Sequence, residues 1–414
     1  MKESYAMLKI LVNFLIILSL AFFCVATAVG ASPEKEKISP LANQGRVLFQ
    51  HYCAACHGLS GDGDGFNAEQ LDKEPAELSN KKFVAKKNNS QIYRVIKFGG
   101  QGVRKSHLMP VFGHTLSEEE IWSLVAYVRY LADDEEHPVT LPENTSKIRP
   151  ASPTLPHDPL NVFSGWYSKN GHNASLIDQG EKLFRKKKSC FACHQLEDEG
   201  GLLGPDLTRA GFSYPPEWIF TWIGNPQRIK PNSKMPNLGL DNEECRAITA
   251  FLASLNGEGI KKKWDAYLAS PGDPAKGKKL FFDSEGKANC GKCHTVNGQG
   301  GKVGPQLSFV GTSRTQAFLL ESILNPKAVI ASGYSSVLIL SKKGKFITGV
   351  KMNEDDSSID LMNKEGNALH ISKDDIKKYK TQKISLMPGN FKDILTKDEV
   401  RHLLAYLSSL KLSN

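Results

Sequence analysis

The sequence predicts a mainly helical chain of three tandem repeats, the third enlarged by a small antiparallel β insertion. Three observations predict it. The pentapeptide Cys-X-X-Cys-His occurs three times, at Cys53–His57, Cys190–His194 and Cys290–His294. A Gly-X-X-Leu-Phe stretch precedes each copy, at Gly45–Phe49, Gly180–Phe184 and Gly277–Phe281. A Met-Pro pair follows each copy, at Met109-Pro110, Met235-Pro236 and Met387-Pro388, and leads into a helix opened by acidic residues. A pattern that recurs along a chain marks one supersecondary unit per copy.

Each Gly-X-X-Leu-Phe stretch reads as part of a short amphipathic helix that ends near the cysteines. The closing helices run from Ser117-Glu118-Glu119-Glu120 to Leu131, from near Asp241 to Leu255, and from Thr396-Lys397-Asp398-Glu399 to Leu410. Their first turns carry the capping residue and the acidic charge that a helix N-terminus favours. Tyr127, Phe251 and Tyr406 align in them and are expected to pack on the glycine-bearing helix. Gly45, Gly180 and Gly277 let the two helices cross closely, because glycine has no Cβ.

The pentapeptide carries the chemistry. On a helical turn, cysteines at i and i+3 and a histidine at i+4 share one face. Cys-X-X-Cys-His is the attachment signature of c-type haem. The thiols of Cys53 and Cys56, Cys190 and Cys193, and Cys290 and Cys293 would bond the vinyl groups, and His57, His194 and His294 would reach the iron. A redox dithiol or half a zinc site needs no histidine directly after the second cysteine in every copy. Three covalently attached haem c groups are therefore expected.

The order of helix, haem motif, methionine-bearing loop and closing helix resembles class I cytochrome c. The resemblance covers nearly all of the chain outside the leader and linkers. It implies that Met109, Met235 and Met387 are the sixth ligands to iron. A histidine and a methionine close the iron and raise its potential, which suits electron transfer better than oxygen chemistry. Gly204-Pro205-Asp206-Leu207 and Gly304-Pro305-Gln306-Leu307 follow the second and third motifs. The resemblance implies that a carbonyl there orients the imidazole, a control exerted on the ligand from behind. The first repeat instead carries Gly58, Gly61-Asp62-Gly63-Asp64-Gly65, Pro75 and Leu78, read as a glycine-rich turn because the spacing completes no EF-hand loop.

The expected layout is a leader over residues 1–31, repeats over 40–133, 176–258 and 273–412, a proline-rich extended linker over 134–175, and a β insertion over about 334–372. The third repeat is the enlarged one: 93 residues separate His294 from Met387, against 52 and 41 in the first and second. The excess holds four alternating runs divided by turn signals, then a short helix with Asp374 and Asp375. A small antiparallel sheet or barrel is expected. This third region also resembles a haem-binding domain family found in planctomycete and verrucomicrobial proteins. The matching stretches are Cys290–His294, Gly304–Leu307, Glu321–Pro326, Val329-Ile330 with Gly333-Tyr334, and Ser385–Pro388.

Lys2 and Lys9 precede an apolar run from Ile10 to Ala31 that ends in small residues, which reads as a cleaved export signal. The run of about 22 residues is also long enough for a retained anchor, so membrane association through the N-terminus is the alternative. Either reading puts the protein outside the cytoplasm, in a periplasmic or extracytoplasmic setting. Six of the eight cysteines belong to the motifs, leaving Cys24 and Cys245, so there is no disulfide framework. Cys245 aligns with Ile121 and Val400 and is expected in the core. The formal charge of +9 fits an acidic redox partner, an anionic membrane surface or a plain lysine-rich surface. No nucleic-acid-binding motif is present.

These readings converge on an electron-transfer protein with redox protein partners rather than an enzyme. The alternative is the cytochrome subunit of a membrane-associated respiratory dehydrogenase or oxidoreductase complex, since three consecutive cytochrome c domains resemble such subunits. A haem enzyme or gas sensor would need an open iron position, against which Met109, Met235 and Met387 argue.

Overall fold

The computed structural model describes residues 38–150, 158–257, 264, 266–331, 333–355, 357–382 and 384–411. The leader over residues 1–31 lies outside the described residues. Among the described residues no helix is long and apolar enough to cross a membrane.

In the first repeat, α1 (Pro40–Tyr52) starts from Ser39, whose side chain accepts from the Ala42 N–H, and carries proline in its first turn. α2 (Asn89–Gly102) and α3 (Glu118–Leu131) each begin with a reciprocal capping box, Asn88 with Gln91 and Ser117 with Glu120. α1 and α3 cross at Gly45, where a Cβ would run into the Ser123 carbonyl. Phe49, 1% exposed, lies against Tyr127 with ring centroids 5.2 Å apart.

The chain after α3 departs from the extended linker expected over 134–175. Residues 134–150 have no regular structure but are bound to the first repeat. Asp134 sits between Arg129 and His137, the Glu119 N–H donates to the Ser146 carbonyl, and Arg149 pairs with Glu120. Beyond residues 151–157, which lie outside the described set, the chain forms α4 (Leu160–Asn170). Phe163, Trp166 and Tyr167 fall at i, i+3 and i+4 on one face of it. Phe163 is fully buried and stacks on Phe220 at 4.0 Å. Polar and proline-rich flanks hide this short apolar stripe in the sequence.

The second repeat continues with α5 (Ala174–Lys182), a π-helical turn at Leu183–Lys187, α6 (Pro216–Gly224) and α7 (Asn242–Ser254). A two-stranded ribbon, β1 (Gln195–Leu196) and β2 (Glu199–Gly200), follows the second motif, and β3 (Thr295–Val296) with β4 (Gln299–Gly300) follows the third. The third repeat is framed by α8 (Pro274–Phe282), α9 (Gln316–Leu324) and α10 (Lys397–Ser409). The glycine crossings recur: a Cβ on Gly180 would strike the Ala247 carbonyl, and one on Gly277 the His402 carbonyl. Phe184 faces Phe251 at 5.8 Å and Phe281 faces Tyr406 at 5.6 Å.

The β insertion is an open antiparallel sheet in the order β8-β7-β6-β5-β9, so it closes no barrel. Its strands are β5 (Ser336–Ser341), β6 (Phe346–Glu354), β7 (Ser358–Met362), β8 (Ala368–Ser372) and β9 (Ile376–Gln382). Val337, Ile339, Ile359, Leu361 and Ile371 form its own small core. The insertion therefore ends near Gln382 rather than 372, and the expected helix at Asp374 and Asp375 is one 3-10 turn, Lys373–Asp375. β9 is an edge strand whose residues from Lys377 to Thr381 are exposed, so it shows no apolar alternation. Lysine on an edge discourages further strand pairing.

The second and third repeats meet through equivalent segments. Arg209 pairs with the buried Glu321 at 2.9 Å, and the Arg314 guanidinium lies 4.2 Å over the Tyr214 ring. The Thr315 N–H donates to the Ser213 carbonyl at 3.3 Å.

Candidate haem-attachment sites

The three attachment segments share one local geometry. The N–H of His57, His194 and His294 donates to the carbonyl of the first cysteine, Cys53, Cys190 and Cys290, at 3.0, 3.0 and 2.9 Å. This i to i+4 closure gathers the two thiols and the imidazole on one face. The first segment is a turn of α-helix, Ala54–His57; the other two are 3-10 turns, Ser189–Ala192 and Cys290–Lys292. All six cysteines and all three histidines are half-buried.

The imidazoles are oriented alike. His57 Nδ1 lies 2.9 Å from the Ala76 carbonyl, and His194 and His294 Nδ1 lie 2.8 Å from the carbonyls of Pro205 and Pro305. A carbonyl only accepts, so Nδ1 carries the proton and Nε2 presents its lone pair. Behind the ring, a Cβ on Gly204 or Gly304 would overlap the imidazole, which leaves glycine as the residue that fits. Burial pushes all three imidazoles below their usual range, partly offset by the carbonyl each one faces. They are therefore neutral at pH 7, the form that binds a metal. In the first repeat the orienting carbonyl belongs to the residue after Pro75, whereas the prolines themselves supply it in the other two.

The thiols are unsuited to dithiol chemistry. Among the described residues no disulfide joins them. Burial pushes Cys53, Cys190 and Cys290 up to about 12, opposite to the shift that activates a redox cysteine. Cys193 is also pushed up to about 12, by burial and then by the neighbouring Cys56 and Cys190. A neutral thiol pair beside a neutral, oriented imidazole, backed in the second and third repeats by a glycine with no room for a Cβ, fits a covalently attached haem.

Each methionine borders the same hydrophobic cluster as the first cysteine of its own repeat: Met109 with Cys53, Met235 with Cys190 and Met387 with Cys290. All three are half-buried. The backbone of Met235 and Met387 is held by a serine two residues earlier: Ser233 and Ser385 Oγ each accept the methionine N–H at 3.1 Å. In the first repeat the Met109 carbonyl accepts from the Gly100 N–H at 3.0 Å. Among the described residues Met235 alone of the three has a sulfur partner, the Trp222 Nε1–H at 3.1 Å. The Ser-X-Met-Pro spelling was available in the sequence as a signal for this loop; Trp222 had none.

The glycine-rich turn of the first repeat is a brace. Gly61 and Gly63 have φ of 86° and 82°, and the Asp62 carboxylate between them accepts from Ser60 and Ser79. Among the histidines outside the motifs, His402 Nδ1 accepts the Asp273 N–H at 2.8 Å and so secures the start of α8. Cys245 is fully buried in the second core, as its alignment predicts.

The first and second attachment segments lie against each other. Asn67, fully buried, donates from Nδ2 to Cys56 Sγ at 3.3 Å and to the Ala192 carbonyl at 2.8 Å. Its Oδ1 accepts the Leu202 N–H at 2.6 Å. Ser189 Oγ donates to the His107 carbonyl at 2.8 Å, and Thr115 Oγ1 accepts the Asn237 N–H at 2.9 Å. Asn67 carries no sequence motif.

Comparison with known proteins agrees with this geometry. Residues 177–256 and 274–411, together more than half of the chain, match the cytochrome c family model. Residues 40–128 match the model described as cytochrome c oxidase, cbb3-type, subunit III. A cytochrome c from Ulva intestinalis is 39% identical over 89 residues, a match covering 20% of this chain and 75% of that protein. A chain from a reducing HAO-like protein complex of Kuenenia stuttgartiensis is 20% identical, with 53% of this chain and 97% of that chain covered. Its TM-score of 0.19 is too low to carry an argument. The matched models, the relative and the shared attachment geometry lead to one conclusion: the chain belongs to the cytochrome c family, whose domains carry covalently bound haem c for electron transfer.

Proposed function

We propose that the chain is an extracytoplasmic tri-haem c-type cytochrome that passes electrons between redox protein partners. The observation that carries this reading is the threefold recurrence of the imidazole geometry, with Nδ1 on a backbone carbonyl at 2.8–2.9 Å in each repeat. Cys53 and Cys56, Cys190 and Cys193, and Cys290 and Cys293 would hold the groups. His57 with Met109, His194 with Met235, and His294 with Met387 would be the axial pairs. Bound there, haem c supplies reversible one-electron chemistry at its iron. The chain's own part is to fix each imidazole tautomer, to wall the group with its apolar cluster, and to hold a methionine loop by a serine or glycine contact. The leader over residues 1–31 is the export signal in this reading, and the third repeat belongs with the planctomycete and verrucomicrobial haem-binding family.

Intact mass of the purified holoprotein tests the reading, with cell fractionation beside it. Three haem additions on a chain recovered outside the cytoplasm are expected. Fewer than three additions, or a cytoplasmic location, overturns it.

A second reading makes the chain the cytochrome subunit of a membrane-associated oxidoreductase complex. Phe346, Met352 and Tyr379, exposed by 66%, 50% and 41% on the inserted sheet, favour it as apolar contacts for a partner. Co-purification of a stoichiometric second subunit that is lost on replacing these three residues by serine would select this reading over a free carrier.

A further inference from the structure

The cytochrome c repeat accounts for how each attachment segment is built, but not for how two of them are joined. Asn67 lies eleven residues after Cys56, and its own N–H donates to the Ala55 carbonyl at 2.9 Å, so its position is set by the first attachment segment. Its side chain reaches out of that repeat into the second. Ala192, whose carbonyl it holds, immediately precedes Cys193. Both amide hydrogens and the amide oxygen are used, and the partners fix which end is which: a carbonyl can only accept, and the Leu202 N–H can only donate. Burying an amide is unfavourable unless its hydrogen bonds are made, and a fully bonded one specifies a single arrangement. At the other end of the same segment, Ser189, immediately before Cys190, donates to the carbonyl of His107 in the first repeat. The second attachment segment is thus gripped on both sides by the first repeat.

The third segment is not held this way. At the positions equivalent to Ser189 and Ala192 stand Asn289, whose amide donates to the Ser284 carbonyl of its own repeat, and Lys292, which is exposed.

We propose that Asn67 is a positioning residue that clamps the first and second attachment segments into one electron-transfer unit and polarises the Cys56 sulfur. This rests on the reading that both motifs carry haem. The clamp fixes the separation across which one electron passes: one attached group loses it and the other gains it, with no bond made or broken and no proton moved. The Nδ2–H on Cys56 Sγ draws electron density from the sulfur, which favours the reduced state of the group attached there.

The test uses the full-length holoprotein with Asn67→Ala, Asn67→Asp and Ser189→Ala. Haem count by mass is read alongside an optical redox titration, electron paramagnetic resonance of the oxidised form, and flash-induced electron equilibration. The wild type is expected to show spin coupling between two of its haems and fast equilibration between them. Asn67→Ala is expected to keep all haems, lower the potential of one, and slow the equilibration several-fold. Asn67→Asp lowers that potential further, because a carboxylate then faces both the sulfur and the Ala192 carbonyl. Ser189→Ala slows equilibration without touching Cys56, so the first potential stays unchanged; it also tests the clamp if an Asn67 variant fails to load haem. Wild-type coupling, rates and potentials in the variants that load haem overturn the clamp alone. A wild type lacking haem at Cys53–His57 or Cys190–His194 overturns the reading of the motifs instead.

Discussion

The two junctions between repeats are built on different principles. Between the first and second, the contacts are neutral hydrogen bonds made by the attachment segments and methionine loops themselves: Asn67 to Ala192, Ser189 to His107, Asn237 to Thr115. Between the second and third, an ion pair, a stacked cation and one backbone hydrogen bond join the scaffold behind the sites: Arg209 with Glu321, Arg314 over Tyr214, and Thr315 to Ser213. Tyr214 and Arg314 each lie twenty residues after the histidine of their own motif, so this stacked contact pairs equivalent positions. One repeat can thus be joined through its chemistry or through its framework. The first way constrains the distance between sites, and the second constrains the orientation of whole units.

The largest effect is expected where both junctions depend on one core. Phe184 is 1% exposed and faces Phe251 in the middle repeat. Phe184→Ala should cost about 3–5 kcal/mol and loosen both neighbours together. Equilibrium denaturation of the holoprotein would show it as a lowered midpoint, and an unchanged midpoint would deny the middle repeat its central place.

Next comes a change that separates the junctions. Arg209→Ala leaves the Glu321 carboxylate, 6% exposed, without its cation. A lost hydrogen bond to a charged group costs about 1.5–3 kcal/mol. Limited proteolysis between the second and third repeats should accelerate while the spin coupling of the first two haems stays as it was. If that coupling changes as well, the junctions are not independent.

A smaller effect tests the second repeat against the third. Trp222→Phe removes the N–H that points at Met235 Sδ, a bond of about 1 kcal/mol. The corresponding Ser322 bonds the Phe318 carbonyl of its own helix at 2.9 Å. One potential of three should fall, because the sulfur regains electron density, and Ser322→Ala should leave all three in place. Redox titration of the two variants decides it.

The smallest is an acid response confined to the inserted sheet. Burial alone would raise the Glu354 carboxyl, but hydrogen bonds from Lys351, Tyr379 and Lys373 outweigh it and hold the group at about 2. A carboxyl held below its unfolded value of 4.5 contributes stability above that pH, and the contribution is lost as pH falls toward 2. Denaturation midpoints measured between pH 5 and 2 should drop less in Glu354→Gln than in the wild type.

What the sequence could tell follows the same division. Interactions local in the chain, or repeated three times, were legible: the attachment turns, the glycine crossings at Gly45, Gly180 and Gly277, the acid-capped closing helices, and four strands of the insertion. Edge strand β9 was not, because exposure on both faces removes the alternation that marks a strand. Helix α4 was hidden by proline around the Phe163 stripe. The junctions were least legible. Asn67 and Ala192 are 125 residues apart and belong to no periodic pattern, so only the folded arrangement brings them together. Trp222 and Met235 are closer in sequence, yet their contact depends on how α6 meets the methionine loop.

The central claim is that each repeat holds one low-spin haem between its own histidine and methionine. It is tested most directly by a spectroelectrochemical titration of the purified holoprotein, with near-infrared spectra of the oxidised form. The account predicts three one-electron components at positive potentials, each with a histidine–methionine charge-transfer signature. A high-spin or bis-histidine component would contradict it, by removing Met109, Met235 or Met387 from the iron.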